Sequence, residues 1–180
     1  VMPSIHGEDA VLRILDRQRL SDAVTTELGQ ELSLRRQPTL LSELVLSEVE
    51  FHQASQSLDP LPASQLQLEE FSLPIDPLRI RQVVRNLIGN AFNHSDSGQY
   101  SVRVWQDSHC AFLEVSNPCD PLGDDFNQKL FHAFAPGQSS QGRGLGLWIC
   151  RTLVEAHQGK ITVEYCKNRG IVFLVSLPRA

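Results

Sequence analysis

The sequence predicts an α/β domain, a two-layer sandwich in which a mixed, mostly antiparallel sheet packs on helices, with a further helix at the N-terminus. Two observations predict this fold class. Apolar residues recur at three- and four-residue steps in several long segments, which is typical of amphipathic helices. Short segments bounded by polar turns lie between them and predict strands. Helices and strands in mixed order favour a layered sandwich.

The composition is that of a globular domain. The chain has 180 residues, 41% of them hydrophobic, and a formal net charge of −5. The negative charge argues against general nucleic-acid binding, which requires a basic face. No apolar run approaches the roughly 18 residues of a membrane span. We therefore expect no nucleic-acid or membrane contact by this chain, and a cytoplasmic location.

The cysteines show neither a C-x-x-C pair nor the spacing of a metal site. We therefore expect reduced, mostly buried thiols, as is usual in cytoplasmic proteins. Cys119 is set apart because it falls in a candidate site described below. The four are Cys110, Cys119, Cys150 and Cys166.

The N-terminal part of the chain is predicted to hold two helices. Apolar periodicity indicates the first over residues 8–28 and the second from Leu40 to about His52. Residues 53–66 are rich in Ser, Pro and Gln and predict a loop. The segment Gln67–Leu73 then predicts a short strand.

A third helix has the clearest start signal. Asp76 can cap it, and Pro77 occupies its first position, where the missing N–H costs nothing. We expect this helix to run to about His94. Its buried side is predicted to consist of Ile80, Val83, Val84, Leu87, Ile88 and Ala91.

The remaining elements follow from alternating polarity and turn residues. A hairpin is predicted around the polar turn at 107–109, and a loop with a buried aromatic cluster after it. A helix and two final strands close the domain. The predicted segments are strands Tyr100–Gln106 and Ala111–Val115, loop 116–141 with its cluster Phe126, Leu130, Phe131 and Phe134, helix Gly144–His157, and strands Lys160–Tyr165 and Ile171–Leu177.

Three asparagines form a stripe on the third helix. Asn86, Asn90 and Asn93 stand at i, i+4 and i+7, so they share one face. Asparagine is a mediocre helix former, so this density calls for an explanation. A solvated polar face is the alternative to a binding surface.

A glycine run precedes the fourth predicted helix. Gly142, Gly144 and Gly146 alternate just where the helix begins. The N–H groups of a helix start can hold phosphate, and glycine allows a close approach. The alternative is a mobile loop without a ligand. The spacing fits neither a Rossmann fingerprint nor a P-loop.

Together these segments resemble the catalytic ATP-binding domain of bacterial sensor histidine kinases, in the superfamily that includes gyrase, Hsp90 and MutL. Gln82–His94 is similar to the N box of that family, Leu130–Phe134 to its F box, and Gly142–Leu147 to its second glycine box. Order and spacing agree over about residues 67–178. The resemblance implies the Bergerat-type ATP-binding fold.

The resemblance also implies the cofactors and the residues that hold them. ATP and Mg²⁺ are expected, with Asn90 as the Mg²⁺ ligand and Asn86 beside it at the water shell and phosphates; these two are the implied catalytic residues. Asn117 stands where the family has an Asp that accepts a hydrogen bond from the adenine amino group. The other implied ATP contacts are Asn93, His94, Cys119, Gly142, Arg143, Gly144, Leu145, Gly146 and Leu147.

By the same resemblance the chain has two parts. Residues 1–30 are similar to the end of a second dimerisation helix with its linker, and 31–180 to the catalytic domain. The phosphoacceptor histidine would then precede residue 1, since His6 does not resemble it. Implied partners are the dimerisation domain and a cognate response regulator, in a parent protein anchored in the inner membrane.

Some residues depart from the family pattern. Cys119 stands at a glycine position of the first glycine box, Asn93 where lysine is frequent, and Arg143 is the only cation of a short lid. A working kinase module and a degenerate pseudokinase that acts in regulation therefore both stay open. A gyrase- or Hsp90-like ATPase is disfavoured, because Asn86 stands where those proteins carry glutamate.

Overall fold

The computed structural model of the protein describes residues 33–120 and 145–180. The described residues from Leu34 onward belong to one compact unit. The predicted helix over 8–28 and the predicted aromatic cluster of the 116–141 loop lie outside the described residues.

Seven strands and three helices follow one another in mixed order along the described chain. They are β1 (Gln37–Leu40), α1 (Leu41–Ser55), β2 (Leu66–Leu68), β3 (Ser72–Ile75), α2 (Pro77–His94), β4 (Ser101–Gln106), β5 (Cys110–Asn117), α3 (Leu145–Ala156), β6 (Lys160–Cys166) and β7 (Gly170–Pro178). None of the helices in these described segments is both long and apolar enough to cross a membrane.

The main sheet has five strands in the order β2-β4-β5-β7-β6. β2 pairs with β4 in parallel, and every other pair in this sheet is antiparallel. β1 and β3 form a separate antiparallel pair. The prediction of a mixed, mostly antiparallel sheet is confirmed.

The helices cover one face of that sheet. α2 packs on β5, α3 packs on β6, and α2 also contacts both α1 and α3. Alternate strand residues point toward the helices and are almost completely buried, as expected for a sheet with one covered face. Examples are Val102, Val104, Leu113, Val115, Phe173 and Val175. The two-layer sandwich is therefore confirmed.

The predicted start, end and buried side of α2 are confirmed. Oδ1 of Asp76 accepts hydrogen bonds from the backbone N–H groups of Leu78 at 3.1 Å and Arg79 at 3.2 Å. Pro77 is the first helical residue and His94 the last. All six apolar residues predicted on the buried side are buried. Local capping and periodicity are enough to define this helix.

The hairpin is also confirmed. Oδ1 of Asp107 accepts from the N–H groups of His109 and Cys110, both at 2.7 Å, and so closes the turn between β4 and β5. The predicted helix near 144–157 is present as α3, and the last two strands are β6 and β7.

The prediction of one strand over Gln67–Leu73 is wrong. β2 ends at Leu68 and belongs to the main sheet, whereas β3 begins at Ser72 and pairs with β1. The residues between them carry the chain from one sheet to the other, which alternation within seven residues does not reveal. β1 itself was not predicted. The second predicted helix begins at Leu41 and extends to Ser55, into the predicted loop.

The cysteine prediction is right in one respect and wrong in another. All four thiols are free, but only Cys150 is buried. Cys110, Cys119 and Cys166 are half-buried because they lie at or just beyond strand ends, where the helices no longer cover the sheet.

Candidate functional site

The asparagine face of α2 lies beside its core-facing side. Asn86 and Asn90 are half-buried, while Asn93 and His94 are exposed. The apolar side of the same helix is held against the sheet, which fixes the rotation of the helix. Asn86 and Asn90 are one turn apart, so their carboxamides are presented on the same side.

Asn86 connects this face to the start of α3. Its Nδ2 donates a hydrogen bond to the carbonyl oxygen of Gly146 at 3.4 Å. A Cβ at Gly146 would lie 3.8 Å from Cγ of Asn86, an ordinary contact distance. Leu147, the next residue, is buried in the core. The structure therefore brings one of the predicted asparagines against the start of α3.

The other glycine-box residues are only partly described. Gly142, Arg143 and Gly144 lie outside the described residues, and Leu145 is placed as the first residue of α3. Among the described residues, no side-chain hydrogen bond joins Asn90, Asn93 or His94 to the other candidate site residues.

Asn117 ends β5 beneath the helices. The alternation of β5 directs Leu113, Val115 and Asn117 to the helix side of the sheet. Asn117 is 0% exposed, yet neither its Oδ1 nor its Nδ2 has a hydrogen-bond partner among the described residues. A buried carboxamide without partners is costly, by about 1–3 kcal/mol. Such a group is expected where a bound polar molecule completes a site.

The backbone around Asn117 is held by the start of β7. Asn117 is in register with Ile171. Gly170, before it, has a φ of +74°, and a Cβ there would overlap the carbonyl oxygen of Asn117 and lie 2.7 Å from the nitrogen of Cys119. Only glycine fits this position without displacement.

Cys119 has a protonated thiol at neutral pH. Burial raises its pKa, the Asp96 and Asp120 carboxylates raise it further, and a hydrogen bond from the Ile171 N–H opposes the shift. Asp96 also accepts a hydrogen bond from the backbone N–H of Asp120 at 3.0 Å. The segment after β5 is thereby attached to the loop that follows α2.

Sequence reasoning missed two residues next to these positions. Cys150 is fully buried. Its Sγ is 3.8 Å from the carbonyl oxygen of Val83 and also contacts the Asn86 side chain. Burial raises the pKa of Cys150 to about 12, so it acts as a neutral packing group. Its spacing of four from Gly146 could have indicated a shared helix face. Asp96 gave no signal, because its contact depends on the fold of two loops.

A scan of protein families finds one that covers most of the domain. Residues 75–180 match the family described as "Histidine kinase-, DNA gyrase B-, and HSP90-like ATPase". The match is longer than half the chain and includes α2, the end of β5 and α3.

Curated relatives of the chain are histidine kinases. It is 33% identical over 121 residues to the signal transduction histidine-protein kinase BaeS of Escherichia coli, which covers 61% of this chain and 26% of that protein. It is 31% identical over 181 residues to the adaptive-response sensory kinase SasA of a Synechococcus species. That alignment covers 93% of this chain and 46% of SasA. The chain thus spans less than half the length of these relatives.

Solved structures agree on the fold. The catalytic domain of histidine kinase ThkA matches with a TM-score of 0.64 and 24% identity over 81% of this chain and 98% of that one. The histidine kinase AdeS of Acinetobacter baumannii matches with a TM-score of 0.72 and 20% identity over 99% of this chain and 87% of that one. At these identities the likeness concerns the fold alone.

Proposed function

This chain belongs to the histidine kinase-, DNA gyrase B- and HSP90-like ATPase family, and on that premise we propose that it is the ATP- and Mg²⁺-binding catalytic module of a two-component sensor histidine kinase. The module donates the γ-phosphoryl group of ATP to a histidine of a dimerisation helix. By their sequence resemblance, we assign residues 1–30 to the end of such a helix with its linker and residues 31–180 to the catalytic domain. The cognate response regulator is the second protein partner; histidine kinase ThkA has been solved in complex with the response regulator protein TrrA.

The observation that carries this proposal is the buried carboxamide of Asn117, which has no hydrogen-bond partner among the described residues. Its oxygen can accept from the amino group of adenine, and its nitrogen can donate to a ring nitrogen beside that group. The side chain is fully buried at the end of β5, the strand on which α2 packs. A bound adenine would satisfy both atoms that the described residues leave unsatisfied.

The asparagine face of α2 fits the metal. Carboxamide oxygens are among the hard oxygen ligands that Mg²⁺ takes, usually together with waters and phosphate oxygens. Asn90 would hold the ion directly. Asn86 donates through Nδ2 to Gly146. No hydrogen bond to its Oδ1 is present among the described residues, so this oxygen would be able to accept from a water bound to the ion. When bound, Mg²⁺ neutralises charge on the phosphates and lowers the barrier to phosphoryl transfer.

The start of α3 fits the phosphates. This 12-residue helix begins beside Asn86, and the free N–H groups of a helix start favour anions. We assign Gly142, Arg143, Gly144, Leu145, Gly146 and Leu147 to this end of the site. Asn93 and His94 are assigned to its rim, since both are exposed at the end of α2.

A degenerate pseudokinase is the second candidate, and Cys119 favours it. The thiol is half-buried next to Asn117, at a position where the family has glycine. A side chain there takes space beside the proposed adenine site. Under this alternative the native chain binds no nucleotide, and C119G restores binding.

Calorimetric titration with Mg-ATP tests the proposal. We expect a dissociation constant below about 1 mM; no binding heat at millimolar nucleotide would overturn the proposal. The variant N117L should lose at least tenfold in affinity without losing stability, because an apolar group replaces an unsatisfied amide. S116A is the matched control. Ser116 immediately precedes Asn117 in the strand, but its side chain points to the other face of the sheet.

A further inference from the structure

Polar contacts join the antiparallel helices α2 and α3 at three levels. At one end the N–H of Asp76 donates to Nε2 of His157 at 3.1 Å. In the middle Sγ of Cys150 lies 3.8 Å from the carbonyl oxygen of Val83. At the other end Asn86 donates to Gly146. We call these three contacts the polar ladder.

His157 uses both ring nitrogens in this arrangement. Nδ1 lies 2.7 Å from the carbonyl oxygen of Leu153, and Nε2 faces the N–H of Asp76. A carbonyl oxygen can only accept and an amide N–H can only donate, so the ring is neutral with its proton on Nδ1. The side chain is 2% exposed. It is therefore a fixed connector between the end of α3 and the start of α2.

The chain that enters the domain is attached at the same point. Oδ2 of Asp76 accepts from the backbone N–H of Arg35 at 3.0 Å, in addition to the capping bonds made by Oδ1. The Arg36 guanidinium donates to the carbonyl oxygen of Ala156 at 3.4 Å. The residues just before β1 therefore contact the start of α2 and the end of α3 together.

We propose that His157 and Asp76 are positioning residues for the nucleotide site. They lie at the ends of α3 and α2 that are far from this site, and they act by setting the axial register of α2 against α3. The proposal rests on the proposed function. Asp76 precedes Asn86 by ten residues, which is about 15 Å of helix. Close-packed helices transmit a shift along their axes rather than absorbing it. A slip at His157 would therefore separate Asn86 from Gly146, where the phosphate and metal ends of the site meet.

Two substitutions distinguish a positioning role of His157 from a merely structural one. The carboxamide of H157N reaches only as far as Nδ1, so it can keep the bond to Leu153 but cannot accept from Asp76. The longer side chain of H157Q reaches the position of Nε2 and can accept from Asp76. Both variants remove the ring. H157N keeps only the contact within α3, to Leu153, and H157Q keeps only the contact between the helices, to Asp76.

Hydrogen exchange and Mg-ATP affinity are the two measurements. In the nucleotide-free chain, H157N should raise amide exchange at 146–150 at least fivefold and weaken Mg-ATP binding about tenfold, while H157Q stays within twofold of the native chain. L41A is the stability control. Leu41 is 0% exposed at the start of α1 and makes none of the three contacts of the polar ladder. We therefore expect this variant to lower Tm without loosening the start of α3.

Three results would overturn the inference. They are unchanged exchange at 146–150 in H157N, equal behaviour of H157N and H157Q, or a loss of affinity in L41A that matches H157N at equal Tm. Failure of the proposed function is recognised separately, as absent Mg-ATP binding by the native chain. In that event the exchange comparison still decides whether His157 sets the register of the helices.

Discussion

Gly170 lies directly against the backbone of Asn117, closer than any residue with a Cβ could come. The contact joins the start of β7 to the end of β5, next to the buried carboxamide that we propose binds adenine. The position of that carboxamide thus depends on a glycine more than fifty residues away in sequence.

Replacement of Gly170 by alanine should destabilise the domain. The residue has a φ of +74°, and the added Cβ would overlap the Asn117 carbonyl oxygen. A strained backbone of this kind costs about 1–3 kcal/mol, and the overlap adds to it. Urea unfolding measures the loss. G89A is the matched control: a Cβ at Gly89 meets nothing within 4 Å, and alanine in a helix should stabilise by about 0.5–1 kcal/mol. Equal effects of the two variants would contradict the prediction.

Replacement of Asn90 by alanine should abolish the metal-dependent part of nucleotide binding. We expect Mg-ATP affinity to fall at least tenfold, or about 1.4 kcal/mol, while the affinity for ATP in excess EDTA changes little. Calorimetry with and without Mg²⁺ makes the comparison. E43A, an exposed change on α1, serves as the control. An equal loss of affinity in both buffers would show that Asn90 does not hold the ion.

Cys119 should react slowly with iodoacetamide at pH 7.5 and faster as the pH rises. Burial and the neighbouring Asp96 and Asp120 carboxylates keep its pKa above the usual value, so the reactive thiolate is scarce at neutral pH. Saturating Mg-ATP should slow the labelling further, because the thiol lies beside the proposed adenine site. The measurement is mass spectrometry in a C110S/C166S background, in which the fully buried Cys150 stays unlabelled. Labelling that nucleotide does not affect would place Cys119 outside the site.

Glu48 should make folding stability dependent on pH in the acid range. Burial alone would raise its pKa, but hydrogen bonds and charge from Arg85 and Arg81 lower it below the usual value. Its stabilising contribution is therefore complete above the unfolded-state pKa and is lost as the pH falls toward the folded value.

The variant E48Q measures that contribution. We expect it to cost about 1–3 kcal/mol at pH 7 and to flatten the fall of Tm between about pH 5 and pH 3. Glu48 is 3% exposed, with Arg81 and Arg85 at 2.7 Å and 2.9 Å. E50Q, an exposed neighbour on the same helix, should leave the acid profile unchanged. A native-like profile for E48Q would contradict the prediction.

Sequence reasoning succeeded where a short stretch of chain determines the outcome. The cap by Asp76, the Pro77 start and the apolar spacing define α2 locally, and the structure agrees with each. It failed at Gln67–Leu73, because two separate partners, β4 and β1, divide that segment between two sheets. The identity of a strand's partner is not encoded within the strand.

The sequence by itself determined that Asn86 and Asn90 share a helix face and that glycines precede α3, since helical periodicity and glycine chemistry act over a few residues. Only the tertiary structure decided that Asn86 meets Gly146 and that His157 links the two site helices. It also decided that Asn117 is buried with no partner for its carboxamide in the part of the chain that the structure describes. These contacts join residues far apart in the chain. They arise from the packing of helices on a sheet, which no local pattern specifies.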